Sequence, residues 1–106
     1  MAKYMAIASY TAEGAKGLAA KGGTARVEAS KQLVAEAGGS IESFYFGFGA
    51  DDVYIICDFP DNVAAAACAI SVASSGMLVT RMVQLLTPDE IDRAAQVKLT
   101  FEAPGS

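Results

Sequence analysis

The chain contains no histidine, and this limits the chemistry that its other side chains can perform. The commonest general base, the Ser-His and Cys-His nucleophile pairs and the usual zinc and haem ligands are all missing. Cys57 and Cys68 lack CxxC spacing and have no cationic neighbour in sequence that would lower a thiol pKa. We expect both thiols to be free, buried and slow to react, as in a reducing compartment.

Four aspartates lie close together in sequence, at Asp51, Asp52, Asp58 and Asp61. They could form a carboxylate cluster for Mg²⁺ or Ca²⁺, but strand alternation and turn preference already explain aspartate at these places. Gly49, Asp51 and Asp52 have the composition of a tight turn, because glycine tolerates positive φ and aspartate bonds back to nearby N–H groups. We therefore predict a turn motif and a helix cap here, and no metal site.

Positive charge is concentrated around a glycine pair in the first third of the chain. Lys16, Lys21 and Arg26 flank Gly22-Gly23, just before a predicted helix. The N–H groups of such a helix start, close to positive charge, can bind an anion. The Gly-Lys-[Ser/Thr] signature of a phosphate-binding loop is missing, and a mobile solvated loop is the alternative interpretation.

Aromatic side chains and one strand arginine form the second candidate binding set. Together they could line an apolar pocket in which Arg81 holds an acidic group. The candidate ligand-binding residues are Tyr4, Tyr10, Phe44, Phe46, Tyr54 and Arg81. Core or interface packing is the alternative, because aromatics dominate both without any ligand. Arg81 stands between Val79 and Val83 on one face, so we expect a partner for it: Asp58, Glu42, a subunit-related carboxylate or an acidic ligand.

These residues must be positioned by elements that hydrophobic periodicity and capping signals predict. The expected elements are a strand over 3–10, a loop with one helical turn over 11–23, a helix over 24–37, a hairpin over 40–59 with its turn at 49–52, an alanine-rich helix from 61 to Gly76, a strand over 78–86, a short helix from Thr87 and an edge strand over 96–102. Thr24 is the expected N-cap of the helix over 24–37, and Gly38-Gly39 its stop. Thr87 and Glu90 are expected to form a capping box, with Pro88 at the first helical position. In the hairpin, alternation places Phe44, Phe46 and Phe48 on one face and Ile41 on the other.

The order β-α-β-β-α-β predicts one α+β domain with a ferredoxin-like, four-stranded antiparallel sheet whose two main helices cover the same face. The first three strands nevertheless carry apolar side chains on both faces. A monomer would leave one of these faces exposed to water. We therefore expect self-association through the sheets, as a dimeric α/β barrel or a larger homo-oligomer.

Several spaced segments together resemble the GYD-domain family. They are residues 10–14 after the first strand, the aromatic run 43–46, the Gly49-x-x-Asp52 turn, Pro60-Asp61 before the alanine-rich helix, and residues 86–90. The family usually has tyrosine just before the turn aspartate, where this chain has Asp51. The resemblance implies a small cytoplasmic bacterial protein of dimeric ferredoxin-like type without an established general activity, with its core over about residues 3–92 and an extension over 93–106.

The composition narrows the range of functions. The net charge of −4 offers no basic surface for nucleic acid, and no apolar run is long enough to cross a membrane, so we expect a cytoplasmic protein. The residues favour a non-enzymatic oligomeric module without a cofactor that binds a small apolar or acidic molecule or serves as an accessory subunit. The alternatives are a cofactor-independent, monooxygenase-like enzyme of the dimeric α/β-barrel kind and a purely structural assembly protein.

Overall fold

A computed structural model describes residues 1–105 and contains four strands and four helices in this part of the chain. Their bounds are β1 Ala2–Tyr10, α1 Ala12–Lys21, α2 Gly23–Glu36, β2 Ser40–Phe46, β3 Val53–Phe59, α3 Asn62–Ser74, β4 Leu78–Leu85 and α4 Pro88–Ala95. The four strands form one antiparallel sheet in the order β2-β3-β1-β4. This confirms the predicted ferredoxin-like α+β fold.

The core lies between one face of the sheet and the helices α2 and α3. Tyr4, Cys57 and Phe59 project from β1 and β3 into this layer and are at most 5% exposed. Val34 of α2 and Cys68 of α3 close it from above. Alternate side chains of each strand point to the opposite face of the sheet, which no helix covers in the described structure.

The segment predicted to be a loop with one helical turn is instead the complete helix α1. Thr11 caps it, since its hydroxyl accepts from the backbone N–H of Gly14. Gly14 lowers helix propensity, but a Cβ built there would lie 2.0 Å from the carbonyl oxygen of Met77. The glycine therefore permits a close approach between α1 and the start of β4, and tertiary packing outweighs the local preference.

Helix α2 agrees with the prediction within one residue at each end. It begins at Gly23, and its N-cap is Gly22 rather than the expected Thr24. It ends before Gly38, whose φ of +83° is the left-handed conformation expected of a glycine stop.

The hairpin differs from the prediction in its register and its turn. A bulge between Ile41 and Ser43 places Ile41 opposite Cys57, on the same face as Phe44 and not on the opposite one. The last ladder pair joins Phe46 to Val53, so residues 47–52 form a longer connection than the predicted tight turn. Phe48 lies in this connection and is 100% exposed, not on an aromatic strand face.

The caps of the last two helices confirm the predictions. Asp61 accepts from the N–H of Ala64 at 2.9 Å and starts α3. Thr87 and Glu90 form the predicted capping box at α4, with Pro88 in the first turn. Both starts depend on residues at most three apart, which is why the sequence reveals them.

The C-terminal part projects from the body. Residues 96–102, predicted to be an edge strand, form no strand, and the side chains of Leu99 and Phe101 are 87% and 83% exposed. The prediction was wrong because alternation alone does not supply a partner strand. The overall extents are 56 × 33 × 22 Å. Ser106, part of the predicted extension, lies outside the described residues. Between residues 1 and 105, none of the helices has the length and apolar character needed to cross a bilayer.

Candidate ligand-binding site

A mostly apolar cavity of about 100 Å³ lies between the sheet and the helices α2 and α3. The side chains that line it come from all four strands and both helices. They include Ala6, Ala8 and Tyr10 of β1, Phe44 of β2, Val53, Ile55 and Cys57 of β3, Leu78, Thr80 and Met82 of β4, Arg26, Ser30, Leu33 and Val34 of α2, and Cys68, Ala69 and Val72 of α3.

The cavity exists because small residues occupy positions where larger ones would fill the core. Ala6 and Ala8 are on the central strand β1, directly below the helices, and Ala69 faces them from α3. Protein interiors are normally packed with few voids larger than a water molecule. Three alanines that surround one space therefore leave room that the other core residues do not fill.

Two polar atoms at this cavity are fully buried. The phenol oxygen of Tyr10 and Oγ1 of Thr80 have no hydrogen-bond partner among residues 1–105. Burial raises the pKa of Tyr10, although the Arg26 guanidinium nearby opposes the shift. Tyr10 is thus a neutral hydrogen-bond donor at ordinary pH, and buried groups of this kind usually have partners in native proteins.

Arg26 connects the cavity with the surface groove beside α1. Its half-buried side chain lines the cavity together with Ser30, whose hydroxyl donates to the Arg26 carbonyl oxygen. Lys21 and Arg26 also flank the groove between α1, α2 and the start of β4. Lys16 does not line this groove, so the structure brings together two of the three residues proposed as an anion site.

The other aromatic candidates occupy different places on the helix-covered side. Tyr4 packs edge-on against Phe59, with ring centroids 5.7 Å apart, and its hydroxyl donates to the side-chain oxygen of Asn62. Phe44 and Phe46 have ring centroids 5.2 Å apart. Only Phe44 lines the cavity, while Phe46 covers Gly23 at the start of α2.

Tyr54 and Arg81 lie on the opposite side of the sheet, which we call the helix-free face. Its apolar residues are Met5, Ile7, Tyr45, Tyr54, Ile56, Val79, Val83 and Leu85. Tyr45 is 71% exposed and Val79 70% exposed. The candidate ligand residues are therefore divided between two sides of the sheet and do not form one site.

Charged groups frame the helix-free face at its two ends. Lys3 pairs with Glu42 at 3.1 Å and with Asp58 at 3.2 Å, and the hydrogen bond to Glu42 is the main cause of its raised pKa. Arg81 pairs with Asp51 at 3.1 Å, and its side chain is 66% exposed. The carboxylates expected to pair with Arg81 inside the chain, Asp58 and Glu42, thus pair with Lys3 instead.

The turn motif holds the hairpin connection against β1. The carboxylate of Asp52 accepts from the backbone N–H of Tyr10 at 2.9 Å, and its own N–H donates to the carbonyl oxygen of Ala8. Asp51 accepts from the hydroxyl of Ser9. Through these contacts the connection fixes the end of β1 that carries Tyr10. Gly49 adopts a φ of 154° in the same connection.

The acidic residues of the described chain do not converge on one point. No group of three or more potential metal ligands forms among residues 1–105. Asp58 is paired with Lys3, and Asp61 caps α3. Asp61 is thus a cap residue, as the sequence indicated, whereas Asp58 is a strand residue in an ion pair.

Both cysteines are free and buried. Burial raises the pKa of the Cys57 thiol to about 11 and also raises that of Cys68. Such thiols carry little thiolate at neutral pH, so the geometry gives no nucleophile here.

Four further residues line the cavity but were not predicted from the sequence as ligand-binding residues: Thr80, Ala6, Ala8 and Ser30. The usable signal was the pair of alanines at alternate positions of a central strand, where large apolar residues are typical. Thr80 carried no separate signal, since threonine is common in strands.

The antiparallel sheet, the helices on one side of it and the unfilled core define a small α+β protein of ferredoxin-like type. The sequence profile of the GYD domain matches residues 4–95, and this chain belongs to the GYD-domain family. No curated protein and no solved structure matches it significantly.

Proposed function

We propose that the protein is a non-catalytic module that acts as a self-associated assembly and binds a small molecule. The observation that supports this most directly is the helix-free face. Exposed apolar patches on a soluble protein mark interaction sites. On this face the exposed apolar side chains are Tyr45 of β2, Tyr54 of β3, and Val79 and Val83 of β4. Between them, Ile7 of β1 is only 8% exposed. The partner is a second copy of the chain, joined sheet to sheet.

The arrangement of side chains on this face suits an isologous contact. Met5, Ile56 and Val83 form an apolar centre, with the Lys3 ion pairs at one end and the Arg81–Asp51 pair at the other. An apolar core with a polar rim is the usual composition of a protein interface. In a two-fold pair the same patch covers itself, so no second surface is needed.

The test compares two valines of nearly equal exposure. Val79 on the helix-free face is 70% exposed, and Val63 on α3 is 77% exposed. We expect Val79→Asp to convert the assembly to monomers at low micromolar concentration, because it adds a charge at the Arg81 end of the patch, where the contact would bury it. Val63→Asp is the matched control and should leave the oligomer intact.

Light scattering and sedimentation of the parent protein, Val79→Asp and Val63→Asp measure the oligomeric state of each. A monomeric parent protein, or dissociation by Val63→Asp and not by Val79→Asp, would refute association through the helix-free face. Phe46→Asp is unsuitable for this purpose, because Phe46 lies on the helix-covered side of the sheet.

A further inference from the structure

The cavity under α2 and α3 combines an apolar wall with two buried hydroxyls that lack partners in the described chain. We infer that it is a binding site for a small, mainly apolar molecule with one neutral, oxygen-bearing polar group, such as a phenol. The apolar part contacts the alanine floor and the helices, and the polar group bonds to the hydroxyls of Tyr10 and Thr80. This inference specifies the ligand class of the binding role proposed above.

The size of the cavity is suited to a ligand of a single ring. Its volume is about 100 Å³. Apolar protein cavities of about 150 Å³ admit benzene, so a single ring is the upper limit for this smaller cavity, and a substituted ring such as phenol enters only as the helices move slightly apart.

The polar atoms determine the chemical class. A purely apolar cavity would favour hydrocarbons, since a ligand hydroxyl would lose its hydrogen bonds with water on entry. This cavity favours a ligand with an oxygen atom instead. The two protein hydroxyls are already buried, and a ligand oxygen can form the hydrogen bonds that they lack. Tyr10 donates, and Thr80 can donate or accept.

A neutral ligand suits the surroundings of Tyr10 better than an anion does. Arg26 and Asp52 both lie close enough to affect its pKa, in opposite directions. The positive charge of Arg26 therefore does not act alone near the phenol, since Asp52 opposes its effect. Apart from Arg26, whose charge Asp52 opposes, the wall is mostly apolar and offers no other charge that would offset the burial of a carboxylate.

The unpaired hydroxyls should also affect the stability of the protein without ligand. Replacing an unsatisfied buried hydroxyl by an isosteric apolar group removes a cost without removing a bond. Tyr10→Phe and Thr80→Val should therefore leave the melting temperature equal to or above that of the parent protein. A site maintained for binding commonly reduces stability in this way.

The experiment titrates phenol and toluene into the full-length parent protein and into the Tyr10→Phe/Thr80→Val double variant. Chemical shifts of the methyl groups of Ala6, Ala8 and Met82 report occupancy of the cavity. We expect the parent protein to bind phenol more tightly than toluene, and the double variant to bind toluene more tightly than phenol. The reversal isolates the two hydroxyls, because the shape of the cavity is unchanged.

Three results would overturn the inference: tighter binding of toluene than of phenol by the parent protein, no shift with either probe at millimolar concentration, or a double variant less stable than the parent. The cavity lies within one chain, so phenol binding should persist in Val79→Asp. Loss of association therefore tests the proposed assembly, and loss of phenol preference tests the site.

Discussion

At the scale of single residues, Cys57 connects burial with pH dependence. Its side chain is only 2% exposed, and its pKa is about 11, against an ordinary value of 9.0. In the unfolded chain the thiol loses its proton near pH 9, whereas the native thiol keeps it until about pH 11. The folded state therefore binds more protons in this window, and stability falls as pH rises through it.

We expect the free energy of unfolding to be insensitive to this thiol below pH 8 and to fall by up to about 3 kcal/mol between pH 9 and 11. Cys57→Ala should show a smaller decrease over the same range, even though its stability at neutral pH is lower because of the cavity that it leaves. Urea unfolding at several pH values measures both slopes. Parallel curves for the two proteins would show that the thiol does not titrate as its burial implies.

Burial should also slow the reaction of both thiols with labelling reagents. Because a thiol reacts as its thiolate, Cys57 and Cys68 should label slowly in the native protein at neutral pH and rapidly after unfolding. A thiol reagent added with and without urea measures the two rates. Fast labelling of native Cys57 would contradict its place in the core.

At the scale of the elements, α1 shows where local sequence preferences mislead. Gly14 and Gly17 both weaken a helix in isolation, but only Gly14 has a neighbour, the carbonyl oxygen of Met77, where a side chain would be. At Gly17 a Cβ would meet no atom within 4 Å apart from its chain neighbours and the backbone of its own helix. The two glycines form a matched pair within one helix.

Gly17→Ala should raise the free energy of unfolding by about 0.5–1 kcal/mol, because alanine is the better helix former. Gly14→Ala should lower it by about 1–3 kcal/mol, because its methyl group would push α1 away from Met77. Thermal or urea unfolding of the two variants gives the signs directly. If both substitutions stabilise the protein, the close approach of α1 and β4 is not maintained in solution.

A feature of this fold could be predicted from the sequence when the residues that determine it are close together in the chain. The caps at Asp61 and Thr87 and the glycine stop at Gly38 use neighbouring residues, and the predictions there are confirmed. The bulge after Ile41 depends on the facing strand, and helix α1 depends on Met77, so neither could be predicted from local patterns. The cavity is hardest to predict, because it results from small side chains on separate elements.

At the scale of the whole molecule, the sheet separates two surfaces for which we propose different roles. The helix-covered side contains the cavity, and the helix-free face contains the proposed contact between copies. Only Tyr10, Phe44 and Arg26 of the sequence candidates converge on the cavity, whereas Tyr54 and Arg81 belong to the opposite face. The aromatic residues of the sequence predicted that both faces of the sheet are apolar. Only the strand register shows on which face each residue lies.

The segment after α4, from residue 96 onward, carries exposed apolar side chains. Val97, Leu99 and Phe101 are 59%, 87% and 83% exposed, and the family match ends at residue 95. Since these side chains bury little area against the body, deleting residues 97–106 should leave the urea midpoint and the slope of the unfolding transition unchanged. The capping box at α4 remains intact in the truncated chain.

The matched control is Phe59→Leu, which removes volume from a side chain that is only 1% exposed and should lower the midpoint clearly. Both proteins are measured at two concentrations, because contacts between copies would make the effect of the deletion depend on concentration. A midpoint lowered equally at both concentrations would show that the extension packs on its own chain in solution. An unchanged midpoint at both would show that neither the fold nor the proposed assembly draws its stability from this apolar extension.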